Sequence, residues 1–376
     1  MRVSGVAQRL HTRSRLHRRA VMPNLPPKTS ERALKSAAED TTMATSSPAL
    51  KLPIVSLSVM EEDMRVERTG TPATSSVTPR RFFTDPEQLT ALAAASVPLI
   101  LRLGSGALTR GWSASFVRED AASTSSDAEK KEAYTMIRAN GFMLQETSAT
   151  TTLPRPAKPI VLYDNEACPF CRKVRECVGI LDLDVLYLPT PRGGKRFRKD
   201  LEQRAGRVQV PYMIDPNTGS EMFESDAIMS YLCSKYGKDA KQQAGDSPNP
   251  VPMGLRMGLL TTISCALALM PRMASSSSYT PSTFSDDECG LQPLWLWGYE
   301  ASPFTKVVRE QLNVLEIPHV FRSCARGSPK RQTVFDKEGS FQVPYLEDPN
   351  NDTALFESLE IRKYLQQTYG TASSST

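Results

Sequence analysis

Histidine is scarce in this sequence. Only His11, His17 and His319 occur in 376 residues. A structural zinc site gathers four nitrogen or sulfur ligands in a tetrahedron. With one Cys-x-x-Cys pair and so few imidazoles, the remaining ligands would have to come from scattered places, so no metal is expected. An iron–sulfur cluster shared by two copies of the chain stays open. Long apolar runs are missing too, since a bilayer takes roughly 20 such residues. Leu89–Leu101 and Met257–Met270 are shorter and are bounded by Arg102, Arg256 and Arg272. They read as helices that cover apolar surface or pair with each other, and membrane association is not expected. Acid is absent from residues 1–30, which hold six arginines and Lys28. That arm supplies much of the net charge of +5, so nucleic acid is not expected as a partner. Arg-rich, acid-poor, hydroxyl-rich N-termini read as organelle transit peptides. Residues 1–80 are therefore an arm without fixed structure, the alternative being a merely disordered tail.

Seven cysteines spread over such a length are not the framework of a small secreted domain. What stands out is an internal repeat. Residues 159–237 and 293–370 align: Ala-Cys-Pro-Phe-Cys-Arg-Lys-Val-Arg-Glu at 167–176 matches Ala-Ser-Pro-Phe-Thr-Lys-Val-Val-Arg-Glu at 301–310. Gln209-Val210-Pro211-Tyr212 matches Gln342-Val343-Pro344-Tyr345, and Phe223-Glu224-Ser225 matches Phe356-Glu357-Ser358. Each copy reads as strand (160–163; 294–297), helix, strand (185–188; 319–322), basic helix (196–205; 329–338), two strands about an Asp-Pro-Asn turn, and a last helix (226–236; 359–369). Phe170, Val174, Val178 and Leu181 share one face of the first helix, and Ser225 and Ser358 read as N-caps of the last helices. The segments 81–158 and 238–292 each hold one apolar helix and linker, with Ser/Thr/Asp-rich loops at Ala121–Asp127 and Ala274–Asp287. The fold class is α/β: two tandem βαβαββα domains, each preceded by an apolar helix.

Cys168-Pro169-Phe170-Cys171 lies at a strand-to-helix junction. The helix N-terminus carries partial positive charge and free N–H groups that stabilise a thiolate, and Pro169 suits the first helical position. Arg172 and Arg175 add positive potential. Cys168 is the candidate nucleophile, and Cys171, one turn deeper, can resolve a mixed disulfide. The alternative is a pair of inert core cysteines.

With these motifs in hand, each copy resembles the thioredoxin-fold N-terminal domain of glutathione transferases, and the first also looks like a glutaredoxin. The tandem layout resembles the plastid tandem proteins of plants and algae that carry this domain twice. The resemblance implies a plastid location, with the mitochondrion as alternative, and glutathione as cosubstrate. It implies a cis proline at Val210-Pro211, whose backbone would pair with an extended tripeptide thiol. It also implies that Glu224 and Ser225 hold the γ-glutamyl end, with Pro169 and Phe170 beside it. In the second copy Ser302 stands for Cys168 and Thr305 for Cys171, whereas Val343, Pro344, Glu357 and Ser358 remain. One of the basic residues Arg192, Lys195, Arg196, Arg198, Lys199, Arg204 and Arg207 could meet the glycyl carboxylate, although a solvated basic face accounts for most of them. Three readings follow. The first is a glutathione-dependent thiol–disulfide oxidoreductase or deglutathionylase acting through Cys168 on glutathionylated proteins. The second is a non-catalytic tandem module that binds glutathione or a protein. The third is a glutathione transferase, for which 55 residues between the copies are too few to form the usual helical domain.

Overall fold

A computed structural model describes residues 79–80, 84–119, 132–238, 251–256, 258–283 and 291–371. The transit-like arm up to Thr78, the loop Ala121–Asp127, the end of the loop Ala274–Asp287 and Cys289 lie outside these residues. The first copy runs β4 (Ile160–Asp164), α2 (Pro169–Leu181), β5 (Asp184–Pro189), α3 (Phe197–Ala205), β6 (Tyr212–Asp215), β7 (Ser220–Phe223) and α4 (Ser225–Tyr236). The second repeats it as β8 (Leu294–Gly298), α6 (Pro303–Val314), β9 (His319–Ser323), α7 (Lys330–Glu338), β10 (Tyr345–Asp348), β11 (Thr353–Phe356) and α8 (Ser358–Tyr369). Both are thioredoxin-like units. β4 and β8 are buried at every residue, as strands covered on both faces must be. The apolar stripes of α2 and α6 join one core that runs through both copies, from Ile160 and Val178 to Leu312 and Ile361. Phe170, which shares the apolar spacing of Val174 and Val178, is 47% exposed whereas those two are buried. It belongs to the first turn of α2, beyond the end of the sheet.

Each hairpin is tied to the last helix by one carboxylate. Asp215 accepts from Tyr231 Oη (2.7 Å), Tyr236 Oη (2.6 Å) and the Asn217 N–H (2.8 Å). Asp348 does the same with Tyr364 and Tyr369, both at 2.6 Å. Burial pushes the Asp215 carboxyl up, but the bonds from Tyr236, Tyr231 and Asn217 outweigh it and hold it below its ordinary value.

The two sheets are continuous. Eight strands run in the order β11-β10-β8-β9-β5-β4-β6-β7. The joint is an antiparallel pairing of the two edge strands, with Asp184 opposite Arg322, Leu186 opposite Val320 and Tyr187 opposite His319. Leu186 and Val320 occupy the same position in their respective copies, so a local two-fold passes between them. Each edge satisfies the other's free backbone groups, which would otherwise invite aggregation.

Charge is buried beside this joint in two-fold pairs. Arg172 lies 3.2 Å from Glu300, and its counterpart Lys306 lies 3.0 Å from Glu166. Arg175 meets Glu300 at 3.3 Å while Arg309 meets Glu166 at 3.1 Å. Within each copy Arg172 pairs with Glu176 (3.1 Å) and Lys306 with Glu310 (3.2 Å). All eight side chains are buried. Burial pushes the Glu166 and Glu300 carboxyls up, yet Arg175 and Arg309 outweigh it and hold both below the ordinary carboxylate value.

The upstream helices extend the symmetry and exchange places. α1 (Leu89–Leu101) packs on α6 of the second copy, and α5 (Leu259–Leu269) packs on α2 of the first, with α1 and α5 in contact. Each therefore covers the copy it does not immediately precede. Arg102, after α1, pairs with Glu176 at 2.7 Å, and Arg272, after α5, with Glu310 at 2.5 Å. Among the described residues no helix is long and apolar enough to cross a membrane. The segment after α1, expected as linker, also forms a three-stranded antiparallel sheet of β1 (Ser113–Arg118), β3 (Phe142–Thr147) and β2 (Arg138–Ala139). Glu146 on β3 ties it to the second copy through Arg326 at 2.7 Å. The loop Ala274–Asp287 begins as the end of a short helix, Met273–Ser276.

Two outcomes are expected. Removing one buried carboxylate, Glu300→Ala, takes one partner from Arg172, Arg175 and Arg309, leaves the buried cluster with excess positive charge, and lowers unfolding free energy by about 3–5 kcal/mol in denaturant titration. His319, stacked on Tyr187, is held down to about 4 by burial and by Arg309, against a bond to the Ile317 carbonyl that raises it. Its folded pKa lies below its unfolded one, so protonation favours unfolding. Stability should fall as pH drops from about 6.5 to 4, by about 3 kcal/mol from this group, and His319→Phe should flatten that part of the pH–stability curve.

Candidate functional site

Cys168 is the N-cap of α2. Its torsions are extended (φ −89°, ψ 124°), Pro169 follows at the first helical position, and the sulfur accepts from the Cys171 N–H at 3.5 Å. Cys168 as a residue is half-buried, and its sulfur lies 3.9 Å from the Val210 carbonyl. The peptide before Pro211 is cis, as is that before Pro344. Val210 precedes the ladder, which starts at Tyr212, so its backbone faces the thiol from outside the sheet.

The two thiols differ sharply. A bond from the Cys171 thiol, with helix N–H groups of Cys171 and Phe170, lowers the Cys168 pKa against the effect of burial. Cys171 is buried and is raised well above an ordinary cysteine by burial and by its bond to Cys168. The thiolate is thus favoured at Cys168 over Cys171, in the direction expected at this motif. Asp164, which the motif reading missed, lies at the end of β4 close enough to disfavour both thiolates. It is buried and clamped by Arg175 at 2.7 Å. Its signal was available, because Asp164 is polar at the end of an apolar strand. The second copy has Gly298 there, and a Cβ on that residue would overlap Thr305.

The third wall departs from expectation. Ser225 and Ser358 are the first helical residues, and the N-caps are Glu224 and Glu357. Both glutamates hold the same unusual backbone, φ 71° and ψ 116° in one and φ 69° and ψ 115° in the other, with no side-chain cap. Such torsions cost about 1–3 kcal/mol and persist where the surroundings impose them. Here they turn each carboxylate back to Gln209 (2.7 Å) or Gln342 (2.9 Å), leaving the helix-end N–H groups uncapped by a side chain. Cys168, Val210-Pro211 and Glu224-Ser225 thus come from three loops at one edge of the first copy.

In the second copy the same constellation forms but is filled by the chain itself. Ser302 caps α6 through the Thr305 N–H at 3.2 Å and is buried. The Ser358 hydroxyl donates to the Gln88 side-chain carbonyl at 2.9 Å, and the Arg80 N–H donates to Glu357 at 2.8 Å. Leu92 and Ala95 of α1 press on Val307 and Phe304. Gln88 stands directly before α1, and the residue directly before α5 is Gly258, which has no side chain to insert.

Three of the seven basic side chains are committed elsewhere. Arg204 pairs with Glu221 (2.7 Å), Arg207 stacks on Phe223 and Arg196 on Phe197. The Lys195 N–H meets Glu316 of the other copy at 2.8 Å. A cavity of about 340 Å³ lies apart from the cysteines, between the three-stranded sheet and the second copy, lined by Tyr134, Glu146, Ser328 and Arg331. Among the described residues no cluster of three or more His, Cys, Asp or Glu is placed to hold a metal.

Residues 162–242 and 296–373 each match the family described as Glutathione S-transferase, N-terminal domain. Neither a curated protein nor a solved structure matches the chain.

Alkylation by iodoacetamide should modify Cys168 far faster than Cys171, with a rate midpoint below the pH of an ordinary thiol. Equal labelling of the two, read by peptide mass spectrometry, would contradict the assignment.

Proposed function

From two glutathione S-transferase N-terminal domains in tandem, we propose that the first works as a glutathione-dependent thiol–disulfide oxidoreductase, with glutathionylated proteins as its substrate class. The observation that carries this reading is a lowered-pKa, partly exposed Cys168 facing the Val210 carbonyl at 3.9 Å. Glutathione would lie extended against Val210-Pro211, with its γ-glutamyl charges at Glu224 and the uncapped start of α4. The Cys168 thiolate attacks the glutathionyl sulfur of a mixed disulfide. A new sulfur–sulfur bond forms, the old one breaks, and the protein thiolate leaves and takes a proton from solvent. A glutathione thiolate then attacks the Cys168 adduct, releasing glutathione disulfide and restoring the Cys168 thiolate. Cys171 is a poor resolver because its proton is held tightly, so glutathione itself is the better second reactant.

Conjugation through Ser302 is disfavoured, because that hydroxyl is buried and Gln88 fills the neighbouring pocket. A non-catalytic scaffolding part suits the second copy alone, since its site is closed while its core and edge strand support the first.

Glutathione-driven reduction of a small mixed disulfide tests the proposal. Cys168→Ser should lose at least about 100-fold in rate, whereas Cys171→Ser should stay within a few-fold of wild type. Equal rates for wild type and Cys168→Ser would overturn it.

A further inference from the structure

A second pair of thiols lies away from the active site, two turns along the same helix. Cys177 on α2 and Cys233 on α4 are fully buried, and their sulfurs are 3.5 Å apart. Both are free thiols. The second copy shows what this contact does elsewhere in the fold. The matching residues are Gln311 and Gln366, whose side chains hydrogen-bond across α6 and α8 at 2.9 Å. The position is thus a cross-helix tie in both copies, non-covalent in one and built from sulfur in the other. We propose that Cys177 and Cys233 are a peroxide-sensitive pair that closes to a disulfide and staples α2 to α4.

The geometry places the two sulfurs in contact, and the charge nearby distinguishes them. Either sulfur can donate across the 3.5 Å contact; with Cys177 as donor, its bond and the nearby Arg110 cation favour the thiolate at Cys233 against burial. Arg110 is fixed close by, donating to the Gly237 carbonyl at 2.6 Å. Cys233, beside Arg110 and near the end of α4, is the sulfur assigned to meet peroxide first. Its thiolate attacks one peroxide oxygen, the oxygen–oxygen bond breaks, and the departing hydroxide takes up a proton to leave as water. The resulting sulfenic acid is attacked by the Cys177 sulfur. The sulfur–sulfur bond forms, the sulfur–oxygen bond breaks, and the Cys177 proton leaves with the hydroxyl as a second water. The dithiol loses two electrons and peroxide gains them. Entry is local. Cys233 is three residues from the end of α4 at Tyr236, where helix ends open most readily, and hydrogen peroxide is close to water in size.

The staple would join the helix whose start carries Cys168 to the helix whose start carries Ser225. Its formation does not need the Cys168 chemistry, so its test is separate from that of the catalytic reading.

Full-length protein is treated with hydrogen peroxide, alkylated, digested without reductant and mapped by mass spectrometry. A peptide linked through Cys177 and Cys233 is expected in wild type and equally in Cys168→Ser. Oxidation should also raise Tm by about 5 °C, and the rise should vanish in Cys233→Ala and Cys177→Ala. Recovery of both residues as alkylated thiols after unfolding, or of Cys233 as sulfinic acid without the cross-link, would overturn the proposal. The wild-type mapping decides the matter even if either alanine variant fails to fold.

Discussion

Antiparallel pairing of the two edge strands, with eight charged side chains sealed beside it, is the constraint on which the rest depends. Burying that many charges costs several kcal/mol per ion unless every one is paired. Here Glu166 and Glu300 each meet cations from both copies, Glu166 with Arg175, Lys306 and Arg309 and Glu300 with Arg172, Arg175 and Arg309. A slip of register at the joint would separate Tyr187 from His319 and break the two-fold match of Arg172–Glu300 with Lys306–Glu166. The cluster is weak as a source of net stability and strong as a device for fixing one arrangement. The same charges set the upstream helices, because Glu176 and Glu310 each hold the arginine that follows one of them.

On this symmetric frame the two copies have parted at a few positions. Cys168, Cys171 and Asp164 correspond to Ser302, Thr305 and Gly298, a change from a pair of thiols beside a carboxylate to a packed, neutral helix start. Before the exchanged helices, Gly258 corresponds to Gln88. One carboxamide side chain therefore enters the second site, and none can enter the first from the matching place. The backbone of the second site, with its cis peptide and its strained glutamate, is retained. It serves the packing of α8 and of the chain before α1.

Much of each unit was legible in the sequence. The period of Val174, Val178 and Leu181, the Asp-Pro-Asn turns and the apolar strands are local signals, and they repeat. The joint between copies was not legible. Arg172 and Arg175, expected to add positive potential at Cys168, are instead buried in ion pairs with Glu176, Glu300 and Asp164, and only a partner bearing the same residues draws them inward. The exchange of helices is hidden for a related reason, since α1 and α5 are apolar enough to suit either copy. Ser225 reads as a cap by residue type, yet the backbone at Glu224 places it inside the helix. Cys177 and Cys233 are ordinary core residues in sequence, and only the fold brings their sulfurs together.

The central claim is that one working glutathione site stands on a frame made by two copies. Calorimetric titration of the reduced protein with glutathione tests it most directly. The account predicts one glutathione bound per chain, with binding lost when Ser225 is replaced by a bulky residue. Two bound per chain, or none, would contradict it.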